Sequence, residues 1–247
     1  MKALVQHQFD DFDIERFLPL AAAFGQKRYG FVVTPNVDHL IRFHDDPAFR
    51  QHYHAASYIL LDSRFAARLI RLVKRRRFAV CTGSDLTAAL FSRVIQPQDR
   101  IVLIGGSAEQ ARMIADQYGL RDLHHHNPPM GFIKDAAATA GCLEFIESHS
   151  PFRFCFLAVG CPQQEIVAHA LRERDRARGL ALCVGASLNF ITGSEKRAPV
   201  WMQQAGIEWL YRLLQSPRRL ASRYLVRGPR IFAQLLHSEF IHRSPPG

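Results

Sequence analysis

Along the chain, short runs of consecutive apolar residues alternate with longer stretches whose apolar positions recur every three or four residues. The runs fall at 30–34, 58–61, 78–82, 100–104, 154–159 and 180–184, each of strand length. The stretches of helical period fall at 37–53, 64–74, 85–95, 108–118, 136–148 and 162–176. This alternation predicts an α/β fold: a Rossmann-like, mostly parallel sheet flanked by crossover helices. After Pro199 the rhythm stops. Trp201, Ile207, Trp209, Leu210, Leu213, Leu214, Leu220, Tyr224 and Leu225 then recur at roughly helical spacing, interleaved with Arg212, Arg218, Arg219, Arg223, Arg227 and Arg230 and almost no acids. The expected organisation is an α/β catalytic core over 1–198 and a basic helical appendage over 199–247.

The predicted strands end in small or polar residues: T-P-N at 34–36, L-D-S at 61–63, T-G-S-D at 82–85, G-G-S at 105–107, G-C-P at 160–162 and G-A-S at 185–187. Open α/β sheets bind ligands in the crevice beyond the carboxyl ends of their strands, so candidate chemistry collects at one edge. Thr34 and Asn36 can hydrogen-bond a substrate there, although on spacing alone Asn36 reads as an N-cap. Asp62 stands where a general base is useful, and equally where a helix starting near Arg64 wants a cap. Thr82, Gly83, Ser84 and Asp85 open a helix whose backbone N–H groups can hold an anion. Gly105 and Gly106 form a second strand-to-helix junction without the G-x-G-x-x-G fingerprint. Two such junctions on one edge suggest a nucleotide diphosphate. Past Gly160, Gln164 and Glu165 lie near a helix start, within reach of a sugar or ribose. Cys161 reads as a small turn residue, since no His–Asp pair is assigned to activate it. His124, His125 and His126 alternate in direction along a strand, so three of them do not converge on one metal.

Composition narrows the partners. The 247 residues carry 32 Lys and Arg against 22 Asp and Glu, a formal charge of +10, which favours anionic ligands. A basic amphipathic segment suits a phosphate ligand or an anionic membrane surface; the plainer reading is a solvated helix face. A nucleic-acid binder would interleave exposed aromatics with its cations, whereas the Trp and Leu residues here read as core, so no nucleic-acid partner is expected. No apolar run reaches membrane-spanning length, and the N-terminus lacks the apolar stretch of a signal peptide. Five cysteines without a C-x-x-C pair fit a reduced, cytoplasmic protein.

The segment G-A-S-L-N-F-I-T-G-S-E-K-R-A-P at 185–199, followed by G-I-E-W-L-Y-R-L-L-Q-S-P-R-R-L-A-S-R-Y-L at 206–225, resembles the signature of the WecG/TagA/CpsF glycosyltransferases. These are bacterial enzymes of cell-surface polysaccharide and teichoic-acid synthesis. T-P-N, T-G-S-D-L, the His/Pro-rich turn after His126 and G-C-P-Q-Q-E match further motifs, so the resemblance spans about 31–232. It implies that Thr34 and Asn36 line the active site and that Asp62 is the catalytic carboxylate. The family usually writes that triplet P-D-G; here it is Leu61-Asp62-Ser63, a departure that keeps a non-catalytic nucleotide sensor as the alternative. Gln164, Glu165, Gly185, Ala186, Asn189 and Arg197 are implied in substrate binding, and Arg212, Arg218, Arg219 and Arg223 are the candidates for closing over UDP. The implied reaction is inverting transfer from a UDP-sugar to a polyprenyl-diphosphate-linked acceptor at the cytoplasmic face of the cell membrane, with self-association as a further implied property. No D-x-D-type motif is present, Asp45-Asp46 and Asp10-Asp11 reading as helix-surface or N-terminal charges, so neither metal nor cofactor is expected.

Overall fold

The computed structural model describes residues 5–221, 225–226 and 228–243, with backbone alone at Arg219 and Leu220. The chain opens with β1 (Val5–Phe9), α1 (Ile14–Ala23), β2 (Tyr29–Val33), α2 (Val37–Asp45), α3 (Pro47–His54), β3 (Tyr58–Ile59), α4 (Arg64–Lys74) and α5 (Gly83–Arg93). It continues through β4 (Arg100–Ile104), α6 (Ala108–Tyr118), β5 (Asp122–His126), α7 (Ala136–Ser148), β6 (Phe154–Leu157), α8 (Gln163–Arg174) and β7 (Gly179–Cys183). Six of these strands form one parallel sheet in the order β3-β2-β7-β6-β4-β5. The chain builds outward from β2 to β3 on one side and from β4 to β5 on the other, then fills the centre with β6 and β7. Ligand crevices in such sheets open at the carboxyl ends of the strands, where the direction of winding changes.

The central strands are apolar on both faces because both are covered. Ile101, Leu103, Phe154, Phe156, Leu180 and Leu182 pack into one core, and their neighbours Val102, Ile104, Cys155, Leu157, Ala181 and Cys183 into the other. That period of two hands each strand to two helical layers.

Several elements differ from the expectation. The helix expected over 37–53 is two helices, because Pro47 starts a new one and Asp46 caps it, accepting the Ala48 and Phe49 N–H groups at 3.0 and 3.2 Å. The run at 78–82 is not a strand: its backbone donors go singly to other partners, Ala79 N–H to Asp11 Oδ1 and Cys81 N–H to the Leu61 carbonyl. β5, of sequence D-L-H-H-H, is an edge strand paired only with β4, and its polar composition hides it from an apolar-run search.

The C-terminal part comprises α9 (Ser187–Ile191), α10 (Val200–Ala205), α11 (Glu208–Gln215), α12 (Pro217–Ala221), α13 (Arg230–Leu236) and β8 (Ser238–His242). It is not helical throughout. β8 pairs in parallel with β1, Val5 opposite Ser238 through Phe9 opposite His242, as a separate two-stranded sheet. His7 is buried there against the rings of Phe43 and Phe240 at 4.8 Å, with Nε2 3.3 Å from Ser238 Oγ. Asp10 is no surface charge: it is buried, and Oδ2 accepts the Ile59 N–H at 2.7 Å. Asp45 is spoken for as well, since it pairs with Arg230 at 3.0 Å and accepts from Gln234 at 3.0 Å. The Arg68 guanidinium donates to the Gln204 and Ala205 carbonyls at the end of α10, and Lys74 Nζ to the Leu236 carbonyl at the end of α13. Cations on α4 and an acid on α2 thus clamp the C-terminal helices against the α/β core.

Candidate active site

Three strand ends converge on Gly83. Thr34 follows β2 and donates through Oγ1 to the Cys183 carbonyl at 3.1 Å, tying β2 to β7. Asp62 follows β3, its own N–H bound to the Pro35 carbonyl at 2.8 Å. Ser187 follows β7 and donates to the Val184 carbonyl at 2.6 Å. A Cβ placed on Gly83 would lie 3.0 Å from Thr34 Oγ1, 3.5 Å from Asp62 Oδ2 and 3.6 Å from Ser187 Oγ. Gly83 is the first residue of α5, whose N-cap is Thr82, accepting the Asp85 N–H at 3.1 Å.

Asp62 does not cap α4. Ser63 does, accepting the Ala66 N–H at 3.0 Å, and the Asp62 carboxylate is left for the cleft. It is half-buried and lines that cleft. Burial pushes its pKa from 3.8 up to about 8; the Gly83 N–H it accepts and the charge of Arg212 oppose the rise, and the charges of Glu208 and Asp85 add to it. Cys183 behind it is buried and its thiol is pushed far up, so it stays protonated.

The cleft has a volume of about 850 Å³. Its floor is formed by Thr34, Asp62, Thr82, Ser84, Gly160, Gln164, Gly185, Ala186 and Ser187, and its roof by Gly206, Glu208, Trp209, Arg212, Pro229 and Phe232 of the C-terminal part. Asn36, Asp38, His39 and Arg42 of α2 and its cap close one wall, and Arg64 stands beside Asp62. Asn36 is also the N-cap of α2, accepting the Asp38 N–H at 3.0 Å. Phe190 carries two guanidinium groups on its ring, Arg212 at 5.5 Å and Arg197 at 5.8 Å.

Other candidates stand elsewhere. Asp85 is held by Arg197 at 2.5 Å and by Arg64 at 3.5 Å; burial works against its charge, but these hydrogen bonds and charges keep its pKa below the usual carboxylate range. Arg197 also donates to Ser84 at 3.2 Å, so it secures the start of α5 rather than lining the cleft. Gly105 and Gly106 sit outside the cleft with φ of 94° and 75°, and a Cβ on Gly105 would come within 2.9 Å of the Ala158 backbone. Asn189 lies outside it too, accepting from Gln110 at 2.9 Å and donating to Glu195 at 3.3 Å. Arg218 is exposed on α12, the side chain of Arg219 is not described, and Arg223 lies outside the described residues, as do Tyr224 and Arg227.

His39, Cys161 and Glu165 bring a nitrogen, a sulfur and an oxygen within 4.8 Å of one another, the spacing of a metal cage. Nδ1 of His39, however, accepts the Asn36 N–H at 3.3 Å. The neutral ring then carries its proton on Nε2, which faces Glu165 Oε1 at 3.4 Å and has no lone pair to offer an ion. Burial drives the Cys161 thiol far up, and its proton turns to Glu165. The cluster is a set of donors around one carboxylate. Glu165 itself is 0% exposed and is not part of the cleft lining.

Arg64, Arg42, Glu208, Trp209, Phe190 and Ser187 were not singled out from the sequence. Glu208 and Trp209 carried the only available signal, since α11 brings them to the cleft together with Arg212, one turn on. A profile described as "Glycosyl transferase WecG/TagA/CpsF family" matches residues 2–245.

Proposed function

Since the chain belongs to the WecG/TagA/CpsF glycosyl transferase family, we propose that its cleft moves a sugar from a UDP-sugar to a polyprenyl-diphosphate-linked acceptor during cell-surface polysaccharide synthesis. The observation that carries this reading is the Asp62 carboxylate, which caps no helix and stands on the floor of a cleft that also holds a helix N-terminus and is lined by arginines. In the proposed step Asp62 takes the proton from the acceptor hydroxyl as its oxygen attacks the anomeric carbon. The bond from that carbon to the UDP oxygen breaks with its electron pair on UDP, and the configuration inverts. Negative charge then grows on the leaving diphosphate. The N-terminus of α5 and the guanidinium groups of Arg64 and Arg212 supply fixed positive charge for it without a metal ion. Thr34 and Ser187 hold the strand ends on which Asp62 and the loop after β7 sit.

The lipid acceptor implies a membrane surface. No helix among the described residues is long and apolar enough to cross a membrane. Instead, Val200, Trp201, Leu214, Phe232 and Leu236 are exposed on the C-terminal helices, and Leu72 of α4 is 79% exposed beside the cations Arg71, Arg75, Arg76 and Arg77. An apolar and basic surface of this kind suits the headgroup region of an anionic leaflet, with the cleft opening beneath the same helices.

Asp62→Asn tests the catalytic assignment. General-base loss is expected to lower turnover by about 10² to 10⁴ while UDP binds as before. Unchanged turnover in a variant that still binds UDP contradicts it.

A further inference from the structure

The two residues at the start of α8 expected to touch substrate do something else first. Gln164 Nε2 donates to Glu165 Oε1 at 2.8 Å, and Gln164 Oε1 accepts the Gly185 N–H at 2.9 Å. An ionised carboxylate only accepts and a backbone N–H only donates, so the Gln164 amide has one orientation. The next link back is equally determined: the Asn36 N–H takes Nδ1 of His39, and the ring proton on Nε2 faces Glu165. All three side chains are buried; the Gln164 amide is hydrogen-bonded at both its ends, and His39 Nε2 stands 3.4 Å from Glu165 Oε1 as a looser contact. This series of contacts runs from the cap of α2, through α8, to the loop after β7, and both of its ends line the cleft. Gly185 carries φ of 54°, so that loop has no helix or strand of its own to hold it.

We propose that Glu165 is a positioning residue: it orients the Gln164 amide, and through it the Gly185 N–H, so that the loop after β7 is set for the donor nucleotide. This rests on the UDP reading above for its ligand, though not for its hydrogen bonds. Burial alone would protonate Glu165, but the hydrogen bonds from His39, from Gln164 and from its own N–H hold it below the usual carboxylate range. The Gln164 nitrogen keeps one further N–H for a ligand hydroxyl.

The test uses the full-length protein and two variants. Glu165→Gln keeps shape but replaces the carboxylate by an amide with one acceptor oxygen, for which the donors of His39 and Gln164 compete, so the hold on the Gln164 amide and on its bond from the Gly185 N–H weakens. Gln164→Glu combined with Glu165→Gln restores every link: His39 donates to the new amide oxygen, the new amide donates to the new carboxylate, and that carboxylate accepts from Gly185. Hydrogen exchange at the Gly185 amide is expected to quicken by about tenfold or more in the single variant and to return toward the parent rate in the pair. UDP dissociation constants should follow the same order, with melting temperatures of the three proteins close together. Parent-like exchange at Gly185 in Glu165→Gln overturns the proposal, as does a pair variant that folds but leaves exchange as fast as in the single one. If the parent protein fails to bind UDP, the proposed function falls, and the exchange measurement still decides the role of Glu165.

Discussion

The Asp62 carboxylate accepts the backbone N–H of Gly83, and a methyl group on Gly83 would stand 3.5 Å from Asp62 Oδ2 and 3.0 Å from Thr34 Oγ1. The proposed base and the helix N-terminus proposed for the diphosphate are therefore one unit. Gly83→Ala favours the helix in propensity, since alanine is the better former, but crowds both side chains. It is expected to lower kcat by about tenfold or more with little change in melting temperature. Parent-like kcat would show that the contact between Gly83 and Asp62 does not matter to the reaction.

The same carboxylate predicts opposite pH trends for activity and stability. With its pKa raised to about 8, Asp62 is mostly protonated at pH 7, and a base works only when ionised. In the proposed mechanism kcat/KM rises about tenfold per pH unit up to about 8 and then levels. For stability, the folded chain holds this proton more tightly than the unfolded chain, whose Asp titrates near 3.8. The contribution of Asp62 is therefore best at low pH and is lost as pH rises from about 4 to about 8. Asp62→Asn should gain stability relative to the parent across that window, by a few kcal/mol on the order of the shift. Thermal melts of both proteins from pH 5 to 8.5 check it.

His7 fails in the other direction. Burial first, then the charges of His44 and Arg50, push its pKa from 6.5 down to about 3. The folded chain keeps it neutral, so its contribution is complete above about 6.5 and lost as pH falls, by about 1.4 kcal/mol per pH unit. Because β1 and β8 meet at this residue, acid should loosen the seam between the two ends of the chain. His7→Phe keeps a ring against Phe43 and Phe240 and should flatten the decline of melting temperature between pH 6.5 and 4.5.

The buried sheet and the edge that carries the site were legible because fully covered parallel strands write themselves as apolar runs ending in polar turns, as at Thr34 and Asp62. Parts whose partners are distant were not. β1 and β8 are short, and each is completed only by the other end of the chain. β5 is polar because one side of it has no strand neighbour. At Asp62 the sequence left open whether a carboxylate capped α4, and Ser63 settles that. Glu165 read as a ligand contact because spacing places it at a helix start, whereas only coordinates show that His39, Gln164 and Cys161 enclose it.

Membrane docking has its own expected outcome. Trp201→Glu combined with Leu72→Glu places two charges on the exposed apolar surface of α10 and α4, away from the cleft lining. Sedimentation with vesicles containing anionic lipid should weaken by about tenfold or more, while UDP affinity in solution stays the same. Undiminished vesicle binding would move the docking surface elsewhere.

The central claim is that this cleft binds a UDP-sugar through helix N-terminus and arginine side chains. Calorimetric titration of UDP into the full-length protein in EDTA, repeated with magnesium, tests it most directly. The account predicts saturable binding in EDTA that magnesium leaves unchanged and Arg212→Ala weakens. Binding that requires magnesium would contradict the arginine-based account of the leaving group, and no binding by the folded protein in either condition would contradict the UDP site itself.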